Sequence, residues 1–342
     1  MILFKILNCP HNLILEENNF NSGNNEVSGQ KKGPLSNIPP LFFIFLSLSV
    51  VFFLYQIVGG LAAYYVLGAD LQTMNENLNL TRIIMSVAQF MFILFPSIIL
   101  VMLQDNDIKG TFRLRKPKLP VFILSVIGIF AIQPFLQLYL YYQNELIFSL
   151  PFGQEVLKEL KELFDTLEAA TGTLVSANSV PEFILVIIVI AVTPAIAEEF
   201  LFRGLVFRNF EKIIPAAKAV FFSGLIFALF HFHPFNVVPL AILGIFLTFI
   251  VYHSGSIYTA ITCHFLNNFI SAAAVFIYGK ESFGTEKMTH EEQIEYALLG
   301  LMSFIIFSAV IILIKKYSVM KDSAGNGIAV SDGTINSGDS DE

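Results

Sequence analysis

The chain of 342 residues has no tryptophan, only two cysteines and few charges, with Lys, Arg, Asp and Glu together making up 14%. A soluble domain of this size carries nearer a quarter charged residues, so the scarcity argues against a water-exposed globule. Cys9 and Cys263 cannot build a disulfide framework, and Cys263 falls in an apolar run, so cysteine usage leaves the redox compartment open. Cys9 is also a poor lipid-attachment site, because it follows the bulky Asn8 and a weak apolar stretch. Residues 1–15 carry one lysine and an interrupted apolar stretch, a poor secretory signal. No segment repeats another, and no His-Glu-x-x-His occurs. What abounds is apolar: 55% of residues are hydrophobic, and 36 residues are phenylalanine. The expected fold is all-α, a polytopic membrane helix bundle whose surroundings are the lipid bilayer and not nucleic acid. The net charge of −7 sits largely in the termini and one long loop and says little about partners.

Eight apolar runs follow one another: Ile38–Leu67, Leu80–Leu103, Leu119–Tyr142, Pro181–Phe202, Ile214–Phe232, Val237–Tyr252, Ile257–Tyr278 and Tyr296–Ile314. A spanning helix needs about 17–25 residues, so about eight transmembrane helices are expected, with the sixth run short and tightly joined to the fifth. Residues 38–316 form one membrane domain, while 1–37 and 317–342, rich in Asn, Gly, Ser and Asp, read as disordered cytoplasmic tails. Basic residues set the orientation. Lys109, Arg113, Arg115, Lys116 and Lys118 follow the second run; Arg203, Arg208, Lys212 and Lys218 follow the fourth; Lys315, Lys316 and Lys321 follow the eighth. The loop Ala69–Asn79 has none, and Gln143–Val180 has only Lys158 and Lys161. Both termini are therefore expected on the cytoplasmic side of a cell (plasma) membrane. Within the long outer loop, Val156, Leu160, Leu163, Phe164 and Leu167 recur at helical spacing. They suit an amphipathic helix on the outer surface or capping the bundle, and equally a packed extracellular hairpin.

Charge in the bilayer interior costs roughly 2.5–3.5 kcal/mol on insertion scales, so polar groups in these runs need a reason. On an α-helix i and i+4 share a face, so Glu199 stacks with Arg203 while Glu198 points elsewhere. In one reading Arg203 neutralises Glu199 and leaves Glu198 as a general base in a poorly solvated site. In the other, all three form an interfacial charge cluster at the cytoplasmic helix end. Pro194, four residues before Glu198, frees a backbone carbonyl and kinks the helix, which tilts towards a built site. Phe227 and His231 share a face of the fifth run, and His264 and Asn268 a face of the seventh. Asn267 lies about 100° from Asn268, and Cys263 cannot share the face of His264, which argues against a Cys–His nucleophile pair. His233 reads as a structural residue and His253 as a loop residue. Buried amides and imidazoles must find partners in lipid, and the economical arrangement joins Glu198, His231, His264 and Asn268 around a water-filled cavity.

In this order, Glu-Glu-x-x-x-Arg at 198–203, Phe-x-x-x-His at 227–231 and His-x-x-x-Asn at 264–268, each on its own apolar run, the chain resembles the CPBP (Abi) family. That family comprises CAAX prenyl endopeptidases and bacteriocin-processing proteins. The likeness spans Pro181–Ala273, including the Pro194–Gly204 context and the Gly255-Ser256 step. It implies an intramembrane glutamic endopeptidase acting on a peptide or protein substrate, either prenylated or a bacteriocin-like precursor. Glu198 would activate a water, His231 hold it or carry its proton, and His264 and Asn268 stabilise the oxyanion. Glu199 and Arg203 would support Glu198, and Phe227 would pack against His231. The resemblance implies no cofactor; the alternative is Zn2+ held by Glu198, His231 and His264. Rival functions are bacteriocin self-immunity or another peptide-binding role, and a small-solute carrier, which usually shows inverted repeats. One tension is geometric. With Glu198 near the cytoplasmic end of the fourth run, a fifth helix beginning at Ile214 carries His231 about 25 Å away. The expectation is therefore an interfacial Glu211–Lys218, a helix starting near Ala219, a partly re-entrant His233–Asn236 and a cavity opening to the cytoplasm.

Overall fold

Helices are the local answer wherever a chain must bury its backbone polar groups in hydrocarbon, and each apolar run takes it. The computed structural model describes residues 33–67, 77–104, 107–149, 151, 153–279 and 289–325, and no strand occurs among them. The helices are α1 (Pro40–Leu67), α2 (Leu78–Gln104), α3 (Leu119–Ser149) and an amphipathic α4 (Gln154–Val175). They continue with α5 (Val180–Glu211), α6 (Ala216–Leu229), α7 (Val237–Ser254), α8 (Ile257–Tyr278) and α9 (His290–Gly325). Among the described residues, seven helical stretches are long and apolar enough to cross a membrane. The expected total of about eight becomes seven plus α6, which has only 14 residues and covers about 21 Å. Of the expected tails, 1–32 and 326–342 lie outside the described residues, as does 68–76 of the loop after α1; α9 itself runs on to Gly325.

The short member of the hairpin is thus its first arm, and the local chemistry says why α6 stops at Leu229. Phe232 adopts a left-handed φ of 51° and His233 is extended ahead of Pro234, neither of which continues a helix. The chain reverses through the single 3-10 turn Pro234–Asn236 into α7. The two arms cross at glycine: a Cβ on Gly244 would lie 2.6 Å from the Gly224 carbonyl oxygen. Only hydrogen at both positions permits this contact.

Contacts fix which helix ends share a face. The Leu35 N–H donates to Leu103 O (2.8 Å), Ile257 N–H to Arg113 O (3.3 Å) and the Ser318 hydroxyl to His253 O (3.3 Å). Arg113 pairs with Glu211 at 2.7 Å. Both ends of the described chain therefore sit on the face that carries the basic clusters. On the opposite face α4 lies over the bundle. Phe164 packs 4.7 Å from His233, Glu168 comes within 3.1 Å of the same imidazole, and the buried Arg82 ties Leu174 O and Ser176 O to Glu182. Val156, Leu163 and Leu167 remain exposed, so Phe164 alone of that apolar stripe turns to the 233–235 segment. The core gathers around α5, where Leu201, Phe202, Leu205, Val206 and Phe207 are all buried.

Candidate active site

The long α5 carries the site, and its local chemistry is written around Pro194. A proline removes the N–H that the carbonyl four residues earlier would accept. That carbonyl belongs to Ile190, and the Asn268 Nδ2 of α8 donates to it at 3.1 Å. The backbone widens to π-turns at Ile187–Val192 and again at Phe200–Val206, on either side of Glu198 and Glu199. Single π-turns inside α-helices are frequent at functional sites.

Glu198 does not lie near a helix end, as expected from the run stopping at Phe202. The helix continues thirteen residues to Glu211, so the carboxylate is about 20 Å from that face. The charges after Phe202 are accommodated without leaving the helix. Arg203 is paired internally, the Asn209 amide donates to Leu205 O, and Glu211 receives Arg113 and Arg208. This depth also removes the tension over His231. The helix starts at Ala216, not Ala219, and its full length is needed to bring His231, in the turn just after it, level with Glu198.

Glu199 and Arg203 form a fully buried pair at 2.7 Å. Arg203 also donates to Gly244 O (3.0 Å) and lies 4.5 Å over the Phe227 ring, so its charge meets a carboxylate, a carbonyl and a π face. The same Glu199 oxygen accepts from His264 Nδ1 at 2.8 Å. His231 Nδ1 meets the Phe227 carbonyl at 2.7 Å, and the Phe227 ring stands against both imidazoles, 4.6 Å from His231 and 5.8 Å from His264. Each Nδ1 thus faces an acceptor, and in the tautomer that carries its proton there the Nε2 atom is a lone-pair site.

Both Nε2 atoms face Glu198. Each is 3.9 Å from its Oε2, which is buried and has no hydrogen-bond partner in the protein. That separation is too long for a direct hydrogen bond and suits a single bridging water. A water between Glu198 and either imidazole could donate one proton to each of the two while its oxygen lone pair stays available. The side chain of Glu198 is 19% exposed against 0% for Glu199, so Glu198 is the carboxylate that solvent can reach.

A cavity of about 250 Å³ opens at this point. Glu198, His231, Tyr55 and Gln56 supply its polar wall. Ile93, Leu201, Phe202, Phe230 and Phe232 supply the apolar one. Asn268 is not on this wall; its amide is engaged with Ile190 O and accepts from Asn267, which in turn accepts from Gln133 at 3.0 Å. His233 and His253 lie elsewhere, the first under α4 and the second against Phe249 and Tyr252. Tyr55, Gln56 and Gln133 escaped the sequence reading. Their only signal was a polar residue standing in the middle of an otherwise apolar run.

Zinc ligands in a tetrahedral site lie about 2.0–2.1 Å from the metal and hence roughly 3.3 Å from one another. The 3.9 Å gaps between Glu198 and the two imidazoles are wider than that. Among the described residues no group of three or more His, Cys, Asp or Glu side chains is arranged to hold a metal ion.

Comparison with known proteins adds one finding. Residues 180–270 match the family model described as type II CAAX prenyl endopeptidase Rce1-like. No curated protein and no solved structure gave a significant match. The matched segment runs from the start of α5 into α8 and holds both carboxylates, Arg203, Phe227, His231, His264 and Asn268; over this stretch the chain is similar to the Rce1-like type II CAAX prenyl endopeptidases, a likeness in keeping with the CPBP family.

Proposed function

We propose that the protein is an intramembrane endopeptidase that hydrolyses a peptide bond with a water activated by Glu198, without a metal. The observation that carries this reading is the convergence of Glu198 Oε2 with the Nε2 atoms of His231 and His264, 3.9 Å from each. Glu198 takes a proton from the water as its oxygen attacks the carbonyl carbon, and returns it to the leaving amine when the tetrahedral intermediate collapses. His231 holds the water from the cavity side. His264, fixed by Glu199, faces Glu198 and holds the water from the other side, and Asn268 ties α8 to α5 through Ile190 O. Glu199 and Arg203 keep the first carboxylate in place, and Phe227 packs the two imidazoles.

The substrate is a membrane-associated peptide or protein; a prenylated C-terminal CAAX segment is the chemistry that the family description supplies. A mostly apolar wall with four polar side chains suits an extended peptide entering from lipid. The basic face of the bundle, with both described ends, is the cytoplasmic one, and the membrane is the plasma membrane. A cysteine at Lys116 in a Cys9→Ser chain should label with an impermeant maleimide in inside-out vesicles only; labelling from the outside would invert the orientation. The activity itself is tested with full-length protein in detergent and an S-farnesylated peptide ending in Cys and three further residues. Mass spectrometry should show release of the last three residues, and an intact peptide at every ratio of enzyme would count against the reading.

A further inference from the structure

The helices outside the matched segment contribute to the same cavity, and one of their side chains has chemistry that the Glu198 reading leaves unused. Tyr55 of α1 and Glu198 of α5 share the polar wall of that cavity. Three helices break into π-turns around this cavity: Phe53–Gly59 in α1, which carries Tyr55 and Gln56; Phe90–Leu94 in α2, which carries Ile93; and Phe200–Val206 in α5, which carries Leu201 and Phe202. Insertions of this kind re-aim side chains, and here they fall where the wall is built. Of the other polar groups on the wall, Glu198 is the base, His231 presents an Nε2 lone pair, and Gln56 is largely exposed. Asn268 is anchored away from the wall on Ile190 O. The cavity side of the reaction therefore has a base and lacks an evident donor, apart from the phenol.

We propose that Tyr55 is a catalytic residue of this site, donating a hydrogen bond from its phenol to the scissile carbonyl oxygen as that oxygen becomes an oxyanion. The proposal rests on the endopeptidase reading above. The water oxygen bonds to the carbonyl carbon, the π pair moves onto the carbonyl oxygen, Glu198 holds the water's proton, and the phenol keeps its own proton throughout. When the C–N bond breaks, the pair on oxygen re-forms the carbonyl and the proton on Glu198 passes to the departing nitrogen. Nothing is oxidised or reduced.

The test uses full-length protein in detergent and the farnesylated peptide. Tyr55→Phe removes one hydroxyl and keeps the ring, so its melting temperature should match the wild type. Its kcat should fall about 10²–10³-fold, the usual loss for one oxyanion donor, with KM nearly unchanged. An unchanged kcat, or a rise in KM alone, overturns the proposal while leaving the Glu198 reading intact. No cleavage by the wild type sinks both. If Tyr55→Phe melts early, kcat is compared at a temperature where both proteins remain folded, and an unchanged kcat there overturns the proposal equally.

Discussion

Glu198 and Glu199 are neighbours in sequence and opposites in chemistry. Glu199 spends one oxygen on Arg203 and His264 and is sealed from solvent, whereas the Oε2 of Glu198 has no protein partner and faces two imidazole nitrogens. A buried ion pair costs desolvation on forming, but stranding one member costs more, about 3–5 kcal/mol. Arg203→Met should therefore destabilise the protein by about that amount in detergent unfolding. Adding Glu199→Gln to Arg203→Met should recover part of the loss, and a double variant no better than the single one would contradict this account of the pair. At this scale the helical i, i+4 rule made the Glu199–Arg203 and Phe227–His231 associations readable from sequence. Tyr55, Gln56 and Gln133 were not readable, because an isolated polar residue has no spacing partner on its own helix. Its meaning comes only from the helix packed against it.

On the scale of elements, proline and asparagine form one device across two helices. Pro194 leaves Ile190 O without its α-helical donor, and Asn268 fills the gap. Asn268→Leu should leave that carbonyl unpaired in an apolar setting and cost about 1–3 kcal/mol. In a Pro194→Ala chain the restored N–H at 194 can serve Ile190 O, so the same Asn268→Leu change should cost distinctly less. Equal costs in the two backgrounds, measured by unfolding in a detergent series, would refute the coupling. The freed carbonyl was legible from Pro194 alone; its partner was not. The end of α5 was misjudged for a related reason. Arg203, Arg208 and Glu211 look like the edge of a membrane run when counted as bare charges, yet each finds an opposite charge in the fold. Pairing is a tertiary property that composition cannot display. The hairpin of α6 and α7 shows the same limit, since the close crossing at Gly224 and Gly244 and the strained φ at Phe232 decide where the first arm stops.

For the whole molecule, hydropathy was enough to establish the helical membrane class, because lipid leaves the backbone few alternatives. The amphipathic α4 was foreseen as a helix or a hairpin, and the structure settles on a helix over the end of the bundle opposite the basic clusters. The cavity draws on α1 and α2 as well as on the matched segment, so Glu198 and His231 and part of the wall around them come from different regions of the chain. The central claim is that Glu198 activates water without a metal. It is tested most directly by comparing wild type with Glu198→Gln on the farnesylated peptide, each with and without a strong chelator. The account predicts that wild-type cleavage survives chelation unchanged and that Glu198→Gln cleaves at least about 10²-fold more slowly under both conditions. Wild-type cleavage that disappears on chelation and returns with zinc, or a Glu198→Gln variant as fast as the wild type, would contradict it.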